Sequence, residues 1–201
     1  MGVEHYEIDS EMSKFTVRAF ASGMLSAFGH SPTLAVREFA GEARFAGGTF
    51  EEAFLRIKIK AGSLTIVDNI SDKDRREIEN TMNQRVLETH KYPDIVFESS
   101  NLSTSKAGDG QYWVNLVGKL SLHGVTRDQP IAAQVALIEN TLRAHGEFSL
   151  LQTTYNIEVV SLAGGTLKLK DELRCSFHVL ARKQSQKATE QKRHMAAREI
   201  S

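Results

Sequence analysis

The sequence predicts an all-β, antiparallel sandwich or barrel interrupted by a single helix. Three observations predict it: apolar and polar residues alternate along most of the chain, glycine-rich turns punctuate the alternation, and one stretch, residues 72 to 88, changes to an interval of four. Parallel α/β folds are disfavoured, because the repeated helical crossovers that join parallel strands have no counterpart in the pattern. With 201 residues, 41% of them hydrophobic, the chain can bury one sizeable core without a second domain.

The elements follow in order. Phe15, Val17 and Ala19 alternate with Lys14, Thr16 and Arg18, which reads as a half-buried strand. In the stretch AFGHSP at 27 to 32, Gly29 and Pro32 end pairing and turn the chain at a rim. His30 is therefore read as a hydrogen-bonded rim residue whose functional role, if it has one, is contact with a ligand headgroup. A strand over 34 to 45 leads to a turn at Gly47-Gly48. The clearest alternation follows, with Ala53, Leu55, Ile57 and Ile59 opposite Phe54, Arg56, Lys58 and Lys60.

In the exception at 72 to 88, Ile78, Met82 and Val86 form one apolar helix stripe. Ser71 and Asp74 resemble a capping box, acids crowd the first turn, and Tyr92-Pro93 blocks continuation. A lone helix among strands is expected to lay its stripe over an open end or a side wall. Further strands are expected at 95 to 102, 112 to 122, 130 to 138, 142 to 150, 166 to 170 and 173 to 181, with turns at Gly108-Asp109-Gly110 and Gly164-Gly165. Residues 182 to 201 are locally basic and read as a solvated tail, partly helical or disordered.

Composition excludes several functions. Twenty-five basic and twenty-five acidic residues cancel, so no general field attracts nucleic acid or an anionic membrane, and polyanions are not expected as partners of the body of the protein. A lone cysteine, Cys175, forms no internal disulfide, and it shares an apolar face with Leu173, Phe177 and Val179 as a core thiol would. The start, MGVEHYEID, carries acids where an export signal carries lysine or arginine, so a cytoplasmic location is expected, or a periplasmic one if a signal has been removed. The stretch between Arg18 and Arg37 lacks charge but holds glycine, serine, histidine and proline, which are poor residues for lipid contact.

Catalytic motifs are lacking too. There is no GxSxG, CxxC, GxxxxGKS or GxGxxG. No two histidines stand at i, i+4, and His145 and His178 lie on polar strand faces, so no metal is expected. Asp72, Asp74 and Glu77 are accounted for by capping and the helix dipole. No catalytic residue is assigned. The small inward residues Ala19, Ala53, Ala144 and Gly146 leave room inside, so the reading leans towards a hollow interior.

Several stretches together carry a resemblance: YEIDSEMSKFTV, AFGHSP, FAGEARF, LRIKIKAGSLTIVD, DRREIENTM with VLETHKYPDIVFESS, LVGKLSLHGVTR and HGEFSLLQTTYNIE. In this order they resemble the YceI-like family of lipid- and polyisoprenoid-binding proteins over about residues 4 to 181. KYPDIVFESS followed by GKLSLHGVTR is the most telling part. The resemblance implies an antiparallel, eight-stranded, lipocalin-like barrel over 1 to 181 whose apolar pocket holds a long isoprenoid or similar chain, and it implies no catalytic residues. Family members are often exported, whereas this chain starts directly at the barrel, and LLQTTYNIE departs from the arginine- and glycine-containing version common in the family.

The expected function is binding, sequestration or carriage of a polyisoprenoid, an isoprenoid quinone or a similar amphiphile. No cofactor is obligatory. Burial is worth about 0.8 kcal/mol per methylene, so a twenty-carbon tail gains roughly 16 kcal/mol gross, before ordering and association costs. The expected wall positions are Phe15, Val17, Phe45, Leu55 and Ile57, then Phe97, Leu116, Phe148 and Phe177, with Ile78 and Met82 of the helix closing part of the pocket and His30 at its mouth. Transient contact with a membrane and pairing of two copies through exposed edges are further expectations. Two rival readings stay open: an enzyme acting on a lipidic ligand, which requires His30, His123 or Tyr155 to converge in the pocket, and a packed barrel serving as an interaction module.

Overall fold

The computed structural model describes residues 2–22, 31–46, 50, 53–162 and 167–185. Its strands are β1 (Val3–Ile8), β2 (Lys14–Ser22), β3 (Thr33–Val36), β4 (Phe39–Ala46), β5 (Phe54–Lys60), β6 (Leu64–Ile66), β7 (Asp94–Gly108), β8 (Gln111–Leu122), β9 (Val125–Ile138), β10 (Thr141–Leu151), β11 (Ser161–Leu162) and β12 (Leu167–Lys183). Helix α1 (Asp72–Thr81) lies between β6 and β7. Three pairs, β1 with β2, β3 with β4 and β5 with β6, are the halves of bent strands: β1 pairs β4 while β2 pairs β3, and β4 pairs β5 while β3 pairs β6. With β7, β8, β9, β10 and β12 these make an eight-stranded, up-and-down antiparallel barrel. It closes where Tyr6, Glu7 and Ile8 of β1 meet Lys183, Arg182 and Ala181 of β12.

Side chains build the corners of the bent strands. Between β1 and β2 the Asp9 carboxylate accepts the N–H groups of Glu11 and Met12, and the Ser13 hydroxyl takes both the N–H and the carbonyl of Leu180, standing in for a missing rung of the β12 ladder. Between β5 and β6 the buried Ser63 hydroxyl donates to Lys60 O at 2.7 Å and accepts Glu38 N–H at 3.0 Å. The motif stretches YEIDSEMSKF and KAGSL are therefore corner chemistry.

Helix α1 starts as the sequence implies: Ser71 Oγ accepts Asp74 N–H at 3.1 Å and donates to the Asp74 carboxylate at 2.7 Å. It is shorter than expected. The α-helix ends at Thr81, and Met82–Val86 form a π-helical turn in which Leu87 N–H reaches Met82 O. The helix also caps the outer edge of β6. Glu79 accepts Ile66 N–H at 2.9 Å, and the Arg75 guanidinium donates to the carbonyls of Ile66 and Asp68, which satisfies backbone groups that an exposed edge would offer to another chain.

The structure redraws several boundaries. The expected strand 34 to 45 is broken at Arg37–Glu38, where the ladder turns a corner, whereas 166 to 170 and 173 to 181 run together as β12 with a register shift between Leu169 and Leu173. Arg182 and Lys183, read as tail, belong to that strand: Arg182 Nε lies 2.9 Å from Asp9 and Lys183 Nζ 2.7 Å from Glu4, acids far away in sequence. A two-residue hairpin at His123-Gly124, both at positive φ, joins β8 to β9 and was not foreseen. Gly47-Gly48, Gly164-Gly165 and the tail beyond 185 lie outside the described residues.

These ion pairs carry a pH dependence. Hydrogen bonds from Lys183 to Glu4, from Lys58 and Lys60 to Asp94, and from Thr153 to Asp171 hold those carboxyls below their usual range. Burial pushes the Tyr6 hydroxyl and the Cys175 thiol up, each to about 12. The carboxylates favour the folded state above their unfolded values, so that contribution is lost as pH falls below about 4. The phenol and thiol favour it while protonated, so theirs is lost as pH rises above about 9. The thermal midpoint is expected to be flat between these limits and to fall on both sides. A midpoint that keeps rising from pH 8 to pH 11 would contradict the assignment.

Candidate ligand cavity

The inward strand faces enclose a cavity of about 730 Å³, in the range of small-molecule pockets. Its wall follows the alternation read from the sequence: Phe15, Val17 and Ala19 on β2, Leu55, Ile57 and Ile59 on β5, and Leu142, Ala144, Phe148 and Leu150 on β10 all line it. Eleven of the twelve expected ligand positions are lining residues, namely Phe15, Val17, Phe45, Leu55, Ile57, Ile78, Met82, Phe97, Leu116, Phe148 and Phe177. The twelfth, His30, lies outside the described residues. The bent half-strands add residues the sequence did not single out, including Leu34, Leu64 and Ile66. Strand β6 has three residues, too few to show a period.

The two ends differ. At one end the rings of Tyr6, Phe45, Phe50 and Tyr112 form a chain, with successive centroids 5.2, 5.0 and 4.8 Å apart. At the other, α1 turns Ile78 and Thr81 towards the cavity, and Met82 and Val86 follow from the π-helical turn. No residue of α1 is buried, and Ile78 remains 39% exposed, whereas Val86 at the far end of the stripe packs against the core. Charge in the described lining is confined to Asp68, Asp74 and Glu77, at the helix end.

Cys175 lines the cavity, and its thiol is held protonated by burial. At pH 8 the folded protein is expected to react with iodoacetamide at least about a hundredfold more slowly than the denatured chain, because the thiolate is the nucleophile. Mass spectrometry of the alkylated protein checks this, and comparable rates would show an accessible, ionised thiol.

The two stretches that carry the family resemblance pack against each other. Glu88 and Tyr92, before β7, grip the β8–β9 turn. His123 Nε2 lies 2.9 Å from the Glu88 carboxylate, its Nδ1 is 3.2 Å from Tyr155 O, and the Tyr92 ring meets the imidazole edge-on at 4.5 Å. Tyr92 also lies against Gly124, and Phe97 lies against Gly118, each so closely that a Cβ on the glycine would stand 2.6 Å or less from the ring. KYPDIVFESS and GKLSLHGVTR thus form one packed unit. His123 and Tyr155 do meet, but through the Tyr155 carbonyl, and neither lines the cavity.

The remaining polar motif, LLQTTYNIE, folds into a corner after β10. Gln152 is buried with its amide on Lys170 O and Asp171 O, Asp171 accepts both the N–H and the hydroxyl of Thr153, and Asn156 takes a left-handed φ of 55°. Gln152 and Ile157 line the cavity. His145 and His178 stack directly opposite each other across β10 and β12 with ring centroids 5.8 Å apart, both exposed, and no group of three potential metal ligands occurs among the described residues.

Solved structures share this architecture. BcnA of Burkholderia cenocepacia is 17% identical, with 86% of this chain and 98% of that chain covered at a TM-score of 0.65. A polyisoprenoid binding domain from Saccharophagus degradans, implicated in plant cell wall breakdown, is 13% identical, with 88% and 97% covered at a TM-score of 0.63. A YceI protein of Campylobacter jejuni is 15% identical, with 76% and 85% covered at 0.57. No curated protein matches by sequence. At these identities the likeness establishes the barrel; the family model for the YceI-like domain matches residues 6–181, which is nearly all of that barrel, and the chain belongs to the YceI-like family.

Proposed function

We propose that this protein binds a long-chain apolar ligand in its barrel, in order to sequester or carry it, and that the ligand is a polyisoprenoid, an isoprenoid quinone or a similar amphiphile. The apolar cavity of about 730 Å³ carries the proposal. A filled core would have favoured a packed interaction module instead. The family supports the reading, as does the structural likeness to a domain described as polyisoprenoid binding. In this reading Ile78 and Met82 of the helix end become buried when a chain enters, and the hydrocarbon supplies the binding energy through lost water contact. Binding is proposed rather than catalysis, since of the three residues of the enzymatic alternative His123 and Tyr155 stay off the cavity lining, while His30 lies outside the described residues.

Native mass spectrometry of the purified protein, followed by organic extraction and incubation with a menaquinone, tests this. A co-purifying lipid, or a one-to-one adduct with the added quinone, is expected. Absence of both would defeat the reading.

A further inference from the structure

The outer wall of β2 and β12 carries an arrangement that the cavity does not explain. Arg18 and Arg174 face each other directly across the ladder, both exposed. Like charges in opposed positions destabilise a sheet pair. No relief comes from carboxylates, for neither arginine belongs to an ion pair among the described residues, although ten such pairs occur elsewhere. Instead both guanidinium groups sit over the ring of Phe20, 5.6 and 5.5 Å from its centroid, which holds them together at one spot. Lys14 and His178, also exposed and opposite each other, extend the same strip. The nearby acids are Glu172, whose carboxylate accepts the Ser149 hydroxyl at 2.7 Å, and Glu147, opposite Ser176 on β10.

The strip lies beside the cavity. Phe20 immediately precedes Ala21, and Ala21 on β2 and Leu169 on β12 line the cavity together with Pro32 and Leu34 at the neighbouring β3. The acids Asp68, Asp74 and Glu77 line it from the segment that follows β6, with β3 and β6 between them and the strip. Charge is therefore separated around this end of a chain whose net charge is zero.

We propose that the Arg18–Phe20–Arg174 strip docks the barrel on an anionic lipid bilayer. Two guanidinium groups with no carboxylate partner among the described residues offer bidentate donors to lipid phosphates, and an aromatic ring beside them suits the headgroup boundary. The bilayer meets the β2–β12 wall while the acidic helix side faces away, which sets the cavity end beside the membrane from which an apolar ligand would come. The proposal extends the carrier reading, but vesicle binding and cavity loading are measured separately, so either can fail alone.

The test is co-sedimentation of the full chain with phosphatidylcholine vesicles, with and without 30 mol% phosphatidylglycerol, for the wild type and the double variant Arg18→Gln/Arg174→Gln. Binding to the anionic vesicles alone is expected, weakening as salt rises, and falling at least about tenfold in the double variant. The variant's thermal midpoint should hold or rise, because a repulsive pair has been removed. Equal binding to both vesicles, no binding to either, or full binding by the double variant, which would assign adhesion to the basic tail, each overturns the proposal. Should the double variant misfold, the salt titration of the wild type and the single variant Arg174→Gln decide in its place.

Discussion

Replacing Ala144 with tryptophan is expected to weaken ligand binding roughly a hundredfold while leaving the barrel folded. Ala144 lies in the middle of β10, opposite Val135 of β9 and Val179 of β12, and all three line the cavity. In a close-packed barrel an indole at this position would cost about 1–3 kcal/mol or more in overpacking. Here it enters space, so the thermal midpoint should stay level or rise as apolar surface is buried. If the indole displaces four methylenes of a bound chain, binding weakens by about 3 kcal/mol, or roughly a hundredfold. Fluorescence titration with a lipophilic probe reads the affinity and calorimetry the stability. A strongly destabilised variant would mean that the barrel is filled, and undiminished binding would place the ligand elsewhere.

The second large effect concerns folding. Gly118→Ala is expected to destabilise the protein by about 2 kcal/mol or more, a midpoint drop of about 4–8 °C for a chain of this size. The added Cβ would stand 2.3 Å from Phe97 Cζ and 2.5 Å from Glu98 O, so a wall residue and the backbone of β7 both obstruct it. Phe97→Leu in the Gly118→Ala background should recover part of the loss and no more, because the Glu98 carbonyl stays in place. A Gly118→Ala variant as stable as the wild type would show that β7 and β8 separate easily at this rung. The glycine would then have no packing role.

Much of the site was legible because it obeys a period of two. Once a strand is half buried, alternation assigns its inward residues, and so Phe15, Val17, Leu55, Ile57 and Phe148 could be placed on the wall without knowing which strands neighbour each other. The helix was legible through its cap and its four-residue interval, although not its π-helical end, since Met82 and Val86 keep the same apolar spacing in either geometry. The short strands β3 and β6 were not legible as partners. Their pairing depends on corners at which Ser13 and Ser63 bond to Leu180 and Glu38, which are distant in sequence.

Glu88 and His123 make the same point, being 35 residues apart and 2.9 Å from contact to contact. Nothing local in VLETHKYP or SLHGVTR announces that one clamps the other; the resemblance showed that both stretches occur, and the fold shows that they touch. The sequence by itself determined the all-β class, the inward faces and the single capped helix, because these follow from local periodicity and end effects. Tertiary structure alone decided that the barrel closes around unfilled space and that Arg18 and Arg174 meet. Volume and like-charge proximity arise from strand register and curvature, which act between residues far apart along the chain.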